Sequence, residues 1–327
     1  MEAIFKAQME GIKFGEVQIH NHVAIIPMIS GNGSGPDYLT MKEAMEGHLL
    51  TVTEVTEGGT VPELKVINLG EKPVLLLDGE ELSGAKQNRV LNTTILLREK
   101  SETVIPVSCT EHGRWSYRSS RFEESGHIMS AKIRGIKNRS VHENLKTAHS
   151  YRSDQGAVWD EIAMQAHINK VSSTTGAMKD VLEAKQEDLD AFLEHLPIVP
   201  DQEGLLVLVN GEVVGLDRVS RAAAFRMLHP KLIRSYVMDA LTEKPVMAKE
   251  TPWEKADAFM KKILKCKEQR FDSVGYGQDY RYEGTKIVGS ALVHEGTVIH
   301  MAFFGITETE KAGRMSPVSR RRTYRTN

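Results

Sequence analysis

Cysteine is nearly absent from this 327-residue chain: Cys109 and Cys266 are the only two, and they lie far apart. That excludes a disulfide-stapled scaffold and any cysteine-based metal motif, and it suits a reducing compartment. Long apolar runs are missing as well, and none approaches the length of a membrane-crossing helix. The first fifteen residues, MEAIFKAQMEGIKFG, have neither the apolar stretch nor the small-residue cleavage site of a secretion signal. A cytoplasmic protein with no membrane partner is therefore expected. A charge surplus is lacking too: the net charge of −2 removes any global electrostatic case for nucleic acid or an anionic bilayer. The segment GNGSG at Gly31–Gly35 lacks the Lys-Ser/Thr ending of a phosphate-binding loop and reads as a flexible connection. His20 and His22 share a strand face at a spacing that suits a metal, but no third ligand accompanies them, so no metal site is assigned.

What is present is ordinary for a globular protein. Apolar residues at 40% and charged residues at 26% support a substantial core, in one large domain or two modest ones. The densest information lies in Leu75–Trp115, LLLDGEELSGAKQNRVLNTTILLREKSETVIPVSCTEHGRW. Asp78-Gly79 follows four apolar residues and predicts a two-residue type I′ turn, in which both central positions need positive φ. Two β-branched runs, Arg89–Leu97 and Thr103–Glu111, predict a second hairpin across the charged loop Arg98–Glu102.

Side chains alternate along a strand, so parity assigns faces. Arg89, Leu91, Thr93, Ile95 and Leu97 share one face of the first run; Thr103, Ile105, Val107, Cys109 and Glu111 share one face of the second. Pairing Leu97 with Thr103 sets Leu91 opposite Cys109 and Arg89 opposite Glu111, at the open end of an apolar face. Charges there need a partner. Either the two form a structural ion pair closing the sheet, or they floor a ligand site, with Arg89 for an anion and Glu111 for a hydroxyl or proton.

Further polar groups crowd this stretch: Glu80, Glu81, Lys86, Gln87, Asn88, Asn92, His112, Arg114 and Trp115. Amides suit a ribose or a base edge. Trp115 either plugs a core edge or stacks on a purine while Arg114 meets phosphate. Glu80 and Glu81 point to opposite faces and form no dyad. Glu81 joins the ligand-facing candidates. Cys109, on the apolar face, is expected to be a buried thiol that resists thiol reagents.

Elsewhere, Val17–Ile29, His48–Thr56 and Val61–Leu69 read as strands, the last two joined by Gly58-Gly59. With the hairpins this makes about six consecutive strands, an antiparallel β-sandwich or partial barrel. Between Arg114 and Arg152 nine basic residues stand against three acidic ones. This is either a solvated connection or an anion-binding lid. Helical spacing follows at Trp159–Ala166 and Leu182–Leu196, with Ser172–Gly176 between them as a cap or phosphate contact. Asn210-Gly211 centres another hairpin, helices are read at Phe225–Leu241 and Trp253–Leu264, and Glu295-Gly296 closes a final hairpin. The fold class is α+β, with 1–116 mostly antiparallel β and 117–200 a basic connection with helices. Residues 201–312 carry hairpins and helices packed on the sheet, continuous with what precedes. The arginine-rich tail 313–327 is expected to be disordered.

The segments DGEELSGAKQNRVLNTT and IPVSCTEHGRW resemble the bacterial and archaeal family named for its association with ADP-ribosylglycohydrolases and rhodanese-phosphatases. QGAVWDEI, LLVLVNGEVVGLDR and LIRSYVMDAL agree, so the resemblance spans most of the chain. It implies a role near NAD or ADP-ribose metabolism and carries no catalytic residue or cofactor with it. Three functions fit the residues. The first is binding or processing of a small ADP-ribose-like nucleotide, through Arg89, Gln87, Asn88, Asn92, Arg114, Trp115 and Glu81, with Glu111 as acid or base. The second is a non-catalytic binding or scaffold module. The third is a metal-dependent hydrolase using His20, His22 and a carboxylate. The resemblance favours the first. Nucleic acid is not expected as a partner, and a homo-oligomer stays open.

Overall fold

A computed structural model describes residues 3–29, 35–56, 58, 61–246 and 250–306. Most of the Gly31–Gly35 loop, Gly59 of the Gly58-Gly59 turn and the 313–327 tail lie outside the described residues. The chain opens with α1 (Ala3–Glu10), β1 (Lys13–Phe14), β2 (Gln18–His20), β3 (Val23–Ile29), β4 (Leu39–Thr40) and α2 (Met41–Glu46). Next come β5 (Leu50–Glu54), β6 (Glu63–Asn68), β7 (Val74–Leu76), β8 (Glu80–Gly84), β9 (Arg89–Leu91), β10 (Ile95–Leu97), β11 (Ser101–Cys109) and β12 (Phe122–Ile128). Four helices follow: α3 (Ala131–Ala148), α4 (Gln155–Ile168), α5 (Met178–Ala184) and α6 (Gln186–His195). The remainder is β13 (Gln202–Val209), β14 (Glu212–Val219), α7 (Ala222–Ala240), α8 (Pro252–Ile263), β15 (Lys267–Asp272), β16 (Gln278–Gly284), β17 (Ile287–His294) and β18 (Thr297–Gly305).

The architecture is α+β. Strands β11-β6-β5-β12-β8-β9 close into a six-stranded barrel, and β10-β7-β4 form a small sheet beside it. A nine-stranded antiparallel sheet, ordered β1-β3-β13-β14-β18-β17-β16-β15 with β2 added on β3, makes the second layer. One face of that sheet carries α1 and α8, with Phe259 and Ile263 of α8 in one core with Tyr282 and Phe303 of the strands. Helices α3 and α7 pack on its other face, and a continuous core runs from them to Leu75, Leu77, Val90 and Leu96 of the barrel half. The barrel bore is filled separately by Val52, Leu64, Val66, Leu82, Leu91, Ile105, Val107 and Phe122. No helix among the described residues is long and apolar enough to cross a membrane.

Local turn chemistry was a good guide where both central residues could take positive φ. Asn210 and Gly211, at φ 51° and 78°, join β13 to β14, and Glu295 and Gly296, at 47° and 72°, join β17 to β18. At Asp78-Gly79 only Gly79 has positive φ, at 82°, so the turn is not type I′. Its flanking strands do not pair: β7 belongs to the small sheet and β8 to the barrel. The 89–111 hairpin is also revised. Asn92-Thr93-Thr94 breaks the first run, sending Ile95–Leu97 to pair with β7, while the first half of β11 pairs with β6. Arg89 therefore sits opposite Cys109, two residues from the expected register, and a shift of two preserves the inward face. The predicted strand Val17–Ile29 is instead a tight hairpin, β2 against β3, turning at Asn21 (φ 53°). Strand β3 then pairs with β13 rather than with its sequence successors.

The basic stretch after Trp115 is neither loose connection nor lid over most of its length. Residues 131–148 are α3, and its Arg134 and Lys137 are fully buried. Arg134 donates to both oxygens of Asp217 at 2.8 and 2.7 Å, and Lys137 pairs with Asp78. Tyr236 and His300 also donate to Asp217, and Thr94 bonds the other ring nitrogen of His300 at 2.8 Å. Burial would raise the Asp217 carboxyl, but Arg134 and His300 hold it far below the ordinary carboxylate range. Carboxylates waiting in the two layers are what draw these cations inward.

Candidate functional site at the barrel mouth

Strands β5, β8 and β11 all finish at one end of the barrel, and their inward parity carries polar groups there. Leu82 and Cys109 flank Arg89 in register, so all three share the face that points into the bore. On β5 the burial alternates from Leu50 through Val52 to Glu54, which places Glu54 on that face as well. In a closed ring of six, β5 and β9 lie across from one another, so Arg89 and Glu54 enter the bore from opposite walls.

Arg89 is fully buried. Its Nη1 donates to Gln87 Oε1 at 3.1 Å and to the Asn88 carbonyl at 3.3 Å, while Nε and Nη2 have no hydrogen-bond partner among the described residues. Burial lowers its pKa, though a guanidinium stays charged at any physiological pH. Glu54 is 8% exposed, and among the described residues neither of its oxygens has a partner. Beside them Cys109 donates its thiol proton to Gln87 Oε1 at 3.1 Å, and burial pushes its pKa up, so the sulfur is a thiol. Over Arg89 lies the ring of Trp115, 5.8 Å from the guanidinium carbon and about half exposed. Lys86 sits over both Trp115 and the exposed Tyr117, at 5.4 and 5.0 Å.

A second set of residues holds this mouth in place. Arg114 donates to Glu111 Oε2 at 2.6 Å, to Asn88 Oδ1 at 3.2 Å, and to the carbonyls of Gly84, Ala85 and Ser116. Glu111 also accepts from the Asn88 amide and from Thr175. Burial alone would raise the Glu111 carboxyl, but Arg114 and Thr175 outweigh it and keep it below its ordinary value. Gln87 donates to the Glu111 carbonyl at 2.9 Å, fixing the amide that faces Arg89 and Cys109. From α4, Gln155 bonds both the N–H and the C=O of Cys109, at 2.7 and 2.8 Å, acting as a short extra strand. The Ser172–Gly176 loop contributes Thr175 to Glu111, and Ser173 to the Ala177 amide ahead of α5.

The structure thus gathers Gln87, Asn88, Arg89, Glu111, Arg114 and Trp115 at one end of the barrel, with changed partners. The expected Arg89–Glu111 pair is replaced by Arg114–Glu111, because the two-residue register shift carries Glu111 past the end of β11. Asn92 lies apart, bonded to the Tyr151 carbonyl and to Ser108. Glu81, on the outer face of β8, is buried against Thr110 with one oxygen lacking a partner, and burial raises its pKa to about 7. His20 stacks on His195 at 4.0 Å, whereas His22 bonds the Ala240 carbonyl, so the turn at Asn21 separates the two. Among the described residues no three His, Cys, Asp or Glu side chains cluster closely enough to hold a metal ion. Glu54 is the residue that sequence reasoning missed. Its signal was available: a carboxylate in step with Leu50 and Val52 at a strand end.

A family model, ARPP-1, the ARG and Rhodanese-Phosphatase-superfamily-associated Protein domain, matches residues 11–304. The chain belongs to the ARPP-1 family. Searches of curated proteins and of solved structures each gave no significant match. The ARPP-1 match covers the barrel, both sheets and all of α2 to α8, so the mouth lies wholly inside the family domain. Membership assigns no role to any ARPP-1 residue here; the roles that follow come from the geometry.

Proposed function

We propose that the barrel mouth binds a phosphate-bearing nucleotide of the ADP-ribose and NAD class. The observation that carries this reading is the free edge of Arg89, whose Nε and Nη2 are buried and, among the described residues, unpartnered. Those two N–H groups form the parallel donor pair that meets two oxygens of a phosphate or carboxylate. The half-exposed Trp115 puts an aromatic ring at the rim within reach of a base, and Lys86 over that ring adds positive charge. Gln87, Asn88, Glu111 and Arg114 hold the edge of Arg89 in position, since their polar groups are largely engaged with one another. The association of ARPP-1 domains with ADP-ribosylglycohydrolases agrees with a ligand of this chemistry.

Thermal unfolding with ADP-ribose, NAD and AMP, on the wild type and on Arg89→Met, tests it. A ligand at a hundred times its Kd adds about 2.7 kcal/mol to the native state. The wild type should be stabilised by at least one of the three, and Arg89→Met should fold and lose the response. Absence of any shift at millimolar ligand, or an equal shift in the variant, would leave the mouth as a structural closure of the barrel.

A further inference from the structure

Glu54 supplies the chemistry of the other half of the ligand. We propose that Glu54 accepts hydrogen bonds from the vicinal hydroxyls of a ribose whose phosphate is held by Arg89, so that the site selects ribonucleotides over deoxy analogues. This inference rests on the nucleotide reading above and adds the sugar to it.

Two features set the Arg89–Glu54 arrangement apart. Other buried charges close on a partner: Arg114 beside them reaches Glu111 at 2.6 Å, and Arg218 in the nine-stranded sheet reaches Glu203 at 2.8 Å. Arg89 and Glu54 instead enter the bore from strands on opposite sides of the ring, with two donors on one and two acceptors on the other left without a partner among the described residues. Unpaired buried charge is costly, so a fold that retains both at one mouth has a use for the donors and acceptors left over there. Whatever fits there presents acceptors to Arg89 and donors to Glu54.

Two ligand types meet that demand: an anion carrying neutral hydroxyls, and a zwitterion carrying an ammonium. The surroundings favour the first. The loop 114–121 is held against the end of β8, with the Arg118 amide bonded to the Ala85 carbonyl at 2.9 Å. Arg118 and Arg121 on that loop are exposed, and Lys86 lies beside them. A rim of positive charge suits a ligand that is negative overall. A carboxylate with both oxygens free also matches two adjacent O–H donors, the way an acidic side chain reads a ribose in dinucleotide sites.

Isothermal titration of the full chain with AMP, 2′,3′-dideoxy-AMP, inorganic pyrophosphate and glutamate tests it, on wild type, Glu54→Gln and Arg89→Met. Loss of both hydroxyls should weaken wild-type binding about 10- to 100-fold, the range for hydrogen bonds to a charged group. In Glu54→Gln that penalty should fall to about twofold or less, and Arg89→Met should bind neither nucleotide. Equal binding of AMP and its dideoxy analogue, still dependent on Arg89, overturns the inference and leaves the nucleotide reading standing. Failure of both nucleotides to bind, or binding that ignores Arg89, overturns both. Glutamate binding that needs Arg89 and Glu54 while the nucleotides do not bind would also sink both. Should Glu54→Gln fail to fold, the wild-type comparison of the two nucleotides decides: a penalty of about tenfold or more supports the inference, and equal binding overturns it.

Discussion

Glu81 shows how one buried carboxyl is set by its surroundings. It lies on the outward face of β8, fully buried, with Thr110 as its hydrogen-bond donor, and burial lifts its pKa to about 7. In the unfolded chain the same group ionises near its ordinary value of about 4.5. Between those two pH values the native state keeps a proton that the unfolded chain has released. Stability therefore falls as pH rises through this window, by about 3 kcal/mol in total for this one group. Glu81→Gln removes that dependence. Urea denaturation from pH 4.5 to 7.5 should show the variant gaining on the wild type up to about pH 7 and then running parallel. A constant difference across the range would mean that Glu81 is ionised throughout. The nearby Glu111 behaves in the opposite way because Arg114 answers its charge, which is why the two are unequal candidates for proton transfer although they are close in space.

At the scale of elements, the second half of the fold could be read locally better than the first. Helical periodicity located α4, α7 and α8 and read α6 with the end of α5 as one helix, and positive-φ dipeptides located the β13–β14 and β17–β18 hairpins; α3 was not read as a helix. What periodicity cannot supply is the partner of a strand. Residues 89–97 look like one strand, yet three polar residues split them between a barrel and a small sheet. Packing between strands also sets demands invisible along the chain. A Cβ added at Gly289 of β17 would lie 2.3 Å from a ring carbon of Phe303 on the neighbouring β18. Phe303 sits in a core with Phe5 and Tyr282, at ring separations of 5.9 and 5.2 Å, and has little room to retreat. Gly289→Ala should cost about 1–3 kcal/mol by overpacking. Chemical denaturation checks this, and an unchanged midpoint would show that the ring relaxes freely.

Across the whole molecule, α3 acts as a charged tie between the barrel half and the nine-stranded sheet. Arg134 reaches Asp217 on β14, and Lys137 reaches Asp78 in the turn ahead of β8. Removing one partner strands a buried charge, so Asp217→Asn should cost about 3–5 kcal/mol. The exposed Lys261–Asp257 pair at 2.6 Å is the control, and its loss should cost less than about 1 kcal/mol. Because the tie spans both layers, the weakened variant should still unfold in a single transition at a lower midpoint. Two resolved transitions would mean that the layers are independent folding units.

Parity is a local property, and the sequence by itself determined it: which strand positions look inward, where the Asn210-Gly211 and Glu295-Gly296 hairpins turn, and which segments from α4 onward are helical. Arg89 could be placed inside the sheet on that ground alone, and Glu54 was within reach of the same argument. Only the tertiary structure decided which carboxylate each guanidinium meets, that β3 joins β13, and that α3 turns its cations into the core. Those outcomes depend on which distant segments approach within a few ångströms, and no alternation along a single strand records that distance.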